Sequence, residues 1–262
     1  MDKSLWEVEK TLGEWADNGW LSGNAKYKIR EPSIFDLSGR VAVVTGGSGR
    51  LGPIWIETLE NAGAKVLVLD LPAYDVSKLD QVYEFQQMLP PDQMPTIVVN
   101  SAAIDNPPGS RASFFGNSKR ILEVNLLGSV NVTKVFMPGM VRAGGGVFVN
   151  IGSIMGSIGA DWRNYPENFE KPVAYNLSKA ALVQLSRSIT TQYGRYNVRG
   201  VTIAFGPFDA GLTEEFKETF LKNVPLGRPI SEQSLRTALL FACSCPELAG
   251  QQVLIDGGYT SL

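Results

Sequence analysis

Apolar positions in this chain change rhythm along its length. Short continuous apolar runs at 41–45, 66–70, 96–100, 146–151, 199–204 and 253–256 read as strands buried on both faces. Helical spacing occupies the intervals between them, at 53–61, 79–89, 125–142, 175–193 and 231–243. Strands that alternate with helices predict an α/β fold, a doubly wound Rossmann-type parallel sheet in a single domain. Before it, Leu5, Val8, Leu12 and Trp15 recur at steps of three and four, which predicts a helix in an N-terminal extension. The expected organisation is therefore an extension over 1–35 and a domain over 36–262. One interval is too short for the usual pattern, because Asp75 follows Asp70 by only five residues. A parallel crossover needs a dozen or more. The sheet is expected to have a missing or reduced third strand, with Asp75 or Ser77 capping the helix that starts near Lys78.

Composition narrows the chemistry. The 262 residues contain no histidine, which excludes Ser-His-Asp and Cys-His hydrolases and most zinc enzymes. No metal site is expected. Lys plus Arg number 24 against 26 Asp plus Glu, so there is no basic footprint for nucleic acid. Cys243 and Cys245 stand two apart in an apolar helical stretch and read as core filler, not a disulfide framework. No run approaches the ~20 apolar residues of a membrane helix. The first residues are charged and lack the apolar core of a secretory signal, so a cytoplasmic location is expected.

Two motifs carry chemistry. Thr45-Gly-Gly-Ser-Gly-Arg-Leu-Gly52 follows a predicted strand and opens a predicted helix. Glycines there let a pyrophosphate approach the amides at a helix N-terminus. Asp70 ends the next strand, 24 residues after Gly46, near the spacing of a carboxylate that holds a ribose 2′-hydroxyl. It would repel a 2′-phosphate and so favours NAD over NADP, although Arg50 in the loop could pair with such a phosphate. The second motif is Tyr175-Asn-Leu-Ser-Lys179, a phenol and an ammonium one helical turn apart. A nearby cation can depress a phenol that ordinarily titrates near pH 10.

Taken with Asn100-Ser-Ala-Ala103, Val124-Asn125, Asn150-Ile-Gly-Ser153 and Ile255-Asp-Gly-Gly-Tyr259, these motifs resemble the short-chain dehydrogenases/reductases over residues 36–262. The resemblance implies Tyr175 as general acid/base, Ser153 on the substrate oxygen and Lys179 on the nicotinamide ribose. It implies Asn125 as the anchor of a relay water. Gly46, Ser48, Arg50, Leu51, Asp70, Asn100, Ala102, Tyr175, Lys179 and Phe208 would serve the cofactor. It also implies a homotetramer or homodimer. The chain departs from the family pattern at Arg50 and Ala103, where glycine is usual, and at Phe205-Gly-Pro207.

The interval from Ser153 to Tyr175 is longer than usual and carries Trp162, Arg163 and Tyr165. Trp162 and Arg163 are expected to meet a sugar-like substrate, as in the surface-polysaccharide and flagellin-glycan branch that the sequence resembles. A surface or subunit-contact loop is the other reading. Asp161, Glu167 and Glu170 are better explained as a solvated loop than as paired glycosidase carboxylates. The expected activity is NAD(H)-dependent interconversion of a secondary alcohol and a ketone on a small sugar-like substrate. An epimerase or dehydratase that recycles NAD, and a dinucleotide sensor or assembly subunit, stay open as alternatives.

Overall fold

The computed structural model describes residues 34–90, 93–105, 113–165, 170–209 and 214–261. The helix expected at 5–15 lies outside them. Among the described residues, six parallel strands form one sheet in the order β2-β1-β3-β4-β5-β6. They are β1 (Val41–Thr45), β2 (Lys65–Leu69), β3 (Ile97–Asn100), β4 (Gly146–Ile151), β5 (Val198–Phe205) and β6 (Gln252–Ile255).

The helices are α1 (Gly52–Asn61), α2 (Leu79–Gln87), α3 (Ser118–Leu122), α4 (Ser129–Arg142), α5 (Val173–Tyr193), α6 (Glu214–Leu221) and α7 (Glu232–Ser244). A π-helical turn, Glu123–Gly128, joins α3 to α4. No helix among the described residues is long and apolar enough to cross a membrane.

Alternate residues of each strand feed two cores, one on each face. Val44, Val99, Val149 and Ile203 pack with Trp55 of α1 and Leu235 and Leu239 of α7. Val43, Val98 and Phe148 pack with Phe136 and Met140 of α4 and Ile189 of α5. Fully burying each Val, Leu or Phe stabilises the fold by about 1.5–3 kcal/mol. This is why the strands read as continuous apolar runs. Cys243 is buried in the first of these cores, while Cys245 lies just past the end of α7.

The short interval has the expected consequence. Residues 70–78 form turns, and among the described residues β2 is left as the edge of the sheet with no third strand beyond it. The expected cap does not form. The N-cap of α2 is Lys78, with no side-chain bond to the helix. Asp75 instead accepts from the Ser77 amide and hydroxyl, and Arg120 of α3 bonds both Asp75 and Ser77 at 2.8 Å. The cation draws both candidate caps away from the helix end. Two further helical segments, α3 and α6, were not expected from the apolar pattern.

Strand order reverses between β1 and β3, and a doubly wound sheet opens its crevice at such a point, beyond the carboxyl ends of the strands.

Candidate active site

A cleft of about 730 Å³ opens there. Gly46, Ser48, Arg50, Leu51 and Asp70 line one part of it, and Ser153, Tyr175 and Lys179 another.

The glycine loop leaves β1 through Gly46, whose φ is +71°; a Cβ there would come 2.8 Å from the Ala102 Cα. Only glycine permits so close an approach. Thr45 Oγ1 accepts from the amides of Ser101 and Ala102, each at 3.0 Å, and so ties the segment after β3 to the end of β1. Asp70, at the tip of β2, accepts from the Ser48 amide at 2.7 Å and from the Ser48 hydroxyl. Its other oxygen accepts from the Leu71 amide. The carboxylate therefore stands across the glycine loop. Ala102 and Phe208 also line the cleft.

Ser153 follows β4 and begins a 3₁₀ turn, Ile154–Gly156, with its hydroxyl accepting from the Met155 amide. A Cβ on Gly156 would lie 2.7 Å from the Lys179 backbone, so this glycine lets the turn pack flat on α5. The Ser153 hydroxyl lies close enough to the Tyr175 phenol to favour its ionised form. Lys179 is buried, donates to the Ile151 carbonyl at 2.7 Å, and lies 5.7 Å from the centre of the Tyr175 ring. The three side chains expected to act together are adjacent.

Their electrostatics correct one expectation. Lys179 does not by itself depress the Tyr175 phenol. Burial, reinforced by the Asp105 carboxylate, pushes Tyr175 well above its ordinary value, against the influence of the Ser153 hydroxyl and the Arg50 charge. Burial likewise pulls Lys179 down to about 8, with Asp105 opposing and Lys171 assisting.

Four expected site residues lie elsewhere. Asn100 is buried behind the cleft and donates to Asn150 at 2.8 Å. Asn125, in the π-helical turn, accepts from the Ile104 amide at 2.8 Å and donates to the Ile104 carbonyl and to Ser178. Its backbone carbonyl accepts from Ser129. Its side-chain amide braces the 102–105 segment, and its backbone carbonyl keeps a second lone pair beyond the Ser129 bond. Trp162 is 80% exposed, and Arg163 pairs with Asp161 at 2.8 Å; neither lines the cleft. Glu170 accepts from the Phe114 amide, and Glu167 lies outside the described residues.

Other residues take their place. Tyr165, Met155, Phe216 and Phe220 line the cleft, as do Asp105 and Lys171. Phe216 and Phe220, one turn apart on α6, stack at 5.6 Å, and Phe220 stacks on Tyr259 at 4.4 Å. Sequence reasoning missed Lys171; its one signal is a cation two residues before the helix that carries Tyr175 and Lys179.

Residues 55–260 match the family model described as enoyl-(acyl carrier protein) reductase. The chain belongs to the short-chain dehydrogenase/reductase family. It is 31% identical over 162 residues to carbonyl reductase family member 4 of Xenopus laevis, a match that covers 62% of this chain and 65% of that relative. The chain is also 25% identical to the NADH-dependent L-xylulose reductase of Ambrosiozyma monospora, across 87% of this chain and 97% of that protein. The fold recurs in a short-chain dehydrogenase from Leptospira borgpetersenii solved with bound NAD+, with a TM-score of 0.76 and 23% identity. That likeness covers 87% of this chain and 95% of the other. Relatives in this family are named reductases and dehydrogenases, and the chain is an oxidoreductase of that family.

Proposed function

We propose that the chain is an NAD(H)-dependent oxidoreductase that interconverts a secondary alcohol and a ketone on a sugar-like substrate. The observation that carries this reading is the adjacency of Ser153, Tyr175 and Lys179 in the same cleft as the glycine loop and Asp70.

The residues present fit a nicotinamide dinucleotide. An ammonium has three donors, and Ile151 is the one hydrogen-bond partner of Lys179 among the described residues, so the buried ammonium has donors to spare for ribose hydroxyls. Asp70 supplies a carboxylate for the second ribose, and its charge disfavours a 2′-phosphate. Gly46, Ser48, Arg50 and Leu51 would hold the diphosphate by loop amides at the start of α1, with Ala102 and Phe208 flanking the cofactor. When bound, that group supplies the hydride acceptor or donor.

Ser153 would hydrogen-bond the substrate oxygen, and Tyr175 would deliver or remove its proton. Asn125 acts through Ile104 and Asn100 through Asn150, so both are positioning residues.

The sugar-like class is supported by the mixed character of the substrate end. Tyr165, Phe216 and Phe220 offer aromatic faces for C–H surfaces, while Lys171 and Asp105 offer hydrogen bonds for hydroxyls. Exposed Leu127, Val130 and Leu177, on the π-helical turn, α4 and α5, support a homotetramer or homodimer.

A screen of sugars, polyols and keto-sugars with NADH, NADPH and their oxidised forms, followed by nicotinamide absorbance, tests the reading. Turnover of polyhydroxylated substrates with NAD(H) is expected; turnover confined to acyl or simple aliphatic ketones would overturn the substrate class.

A further inference from the structure

The cleft holds an ion pair that the proton-transfer reading does not use. The Lys171 ammonium is bonded to the Asp105 carboxylate and lies 4.2 Å from the centre of the Tyr175 ring. We infer that Asp105 and Lys171 form a charge-balanced pair of positioning residues that sets the pH at which Tyr175 exchanges its proton.

Both ends of the pair are anchored. Asn125 holds the amide and the carbonyl of Ile104, next to Asp105. On the other side, Glu170 accepts from the Phe114 amide and the Val173 amide donates to the Phe114 carbonyl, which brackets Lys171. The Lys171 side chain is 12% exposed and that of Asp105 31%, so the ammonium is the more enclosed partner and the carboxylate reaches solvent. The enclosed ammonium is screened less than a fully solvated one would be.

The groups around Tyr175 come from every neighbouring element. Arg50 reaches it from the glycine loop, Ser153 from the turn after β4, and Asp105 from the segment after β3. Tyr165 approaches from the long interval, Lys171 from the lead-in to α5, and Lys179 from α5 itself. Among these, Asp105 is the one carboxylate that opposes the phenolate, and Lys171 is the cation bonded to it. Asp105 and Lys171 also act with opposite signs on Lys179. Removing Lys171 takes away the cation bonded to the carboxylate that opposes the phenolate, and removing Asp105 takes away the ammonium's bonded counter-charge.

This inference rests on the dinucleotide reading, and its test separates the two. NAD+ binding is measured first, by tryptophan fluorescence. The Tyr175 phenol is then titrated in the NAD+-saturated protein by NMR of ring-labelled tyrosine, with Tyr175→Phe assigning the resonance. Lys171→Met should move the titration upward by about one pH unit, and Asp105→Asn downward by about as much. The double variant and Lys171→Arg should both return close to wild type. Lys171→Gln replaces the Met variant should melting curves show that it does not fold. An unmoved titration, or shifts of the same sign, overturns the inference and marks the pair as merely structural. A wild-type protein with no saturable NAD+ binding overturns the dinucleotide reading instead.

Discussion

Two polar clusters lie close together at the carboxyl ends of β3, β4 and β5, and they spend their hydrogen bonds differently. Asn100, Asn150, Ser186 and Thr202 are all buried and bond one another in series at 2.7–2.8 Å, with Thr202 also donating to the Leu182 carbonyl. Within this cluster, the Asn100 side-chain oxygen Oδ1 alone has no hydrogen-bond partner among the described residues. Ser153, Tyr175 and Lys179 face the cleft instead, and Lys179 keeps donors in reserve. A sealed network holds strands and a helix in register, whereas a cluster with capacity to spare can receive a ligand. Polarity alone does not mark a functional residue; unspent bonding capacity beside open volume does.

That contrast can be broken or sharpened by substitution. Tyr175→Phe should lower kcat by about a thousandfold, because it removes the proton carrier. NAD+ affinity and melting temperature should stay near wild type; a fall in stability instead would place Tyr175 with the sealed cluster. Asn150→Ala should do the reverse. It strands the Asn100 amide and leaves the Ser186 hydroxyl with Thr202 alone, so denaturant titration should show a loss of about 2–3 kcal/mol, while kcat per folded molecule is kept.

Lys179→Met tests the cost of a poised ammonium. The folded-state value of about 8 lies below the ordinary 10.5, so the buried charge destabilises the fold at neutral pH. That burden is relieved as pH rises from about 8 to 10.5, and stability should climb across this window. Without bound nucleotide, the variant should melt about 2–4 °C higher at pH 7 and lose the climb, while losing turnover. Arg163→Ala should have the smallest effect. Its pair with Asp161 is solvent-exposed, so stability should change by less than about 0.5 kcal/mol and KM should not move.

The sheet was legible because strands covered on both faces must be apolar throughout, and the third strand's absence followed from chain length between Asp70 and Asp75. The glycine loop, Asp70, Tyr175 and Lys179 could be placed because each needs a particular residue at a particular spacing, and Ser153 through the family resemblance. The substrate end could not. Trp162 and Arg163 stood out by residue type, but Asp161 caps the 3₁₀ turn that carries them and pairs with Arg163. Phe216 and Phe220 sit on a helix of only 8 residues, too short for its apolar spacing to stand out. The π-helical turn also sets the Asn125 side-chain amide on Ile104, a bracing role that no residue pattern announces.

The most direct measurement is a fluorescence titration of NADH into the wild-type protein and Asp70→Ala at neutral pH. The account predicts saturation at one nucleotide per chain, with roughly tenfold weaker binding in the variant, as expected for loss of a carboxylate–hydroxyl contact. No saturable binding to the wild type would contradict the central claim that this cleft serves a nicotinamide dinucleotide.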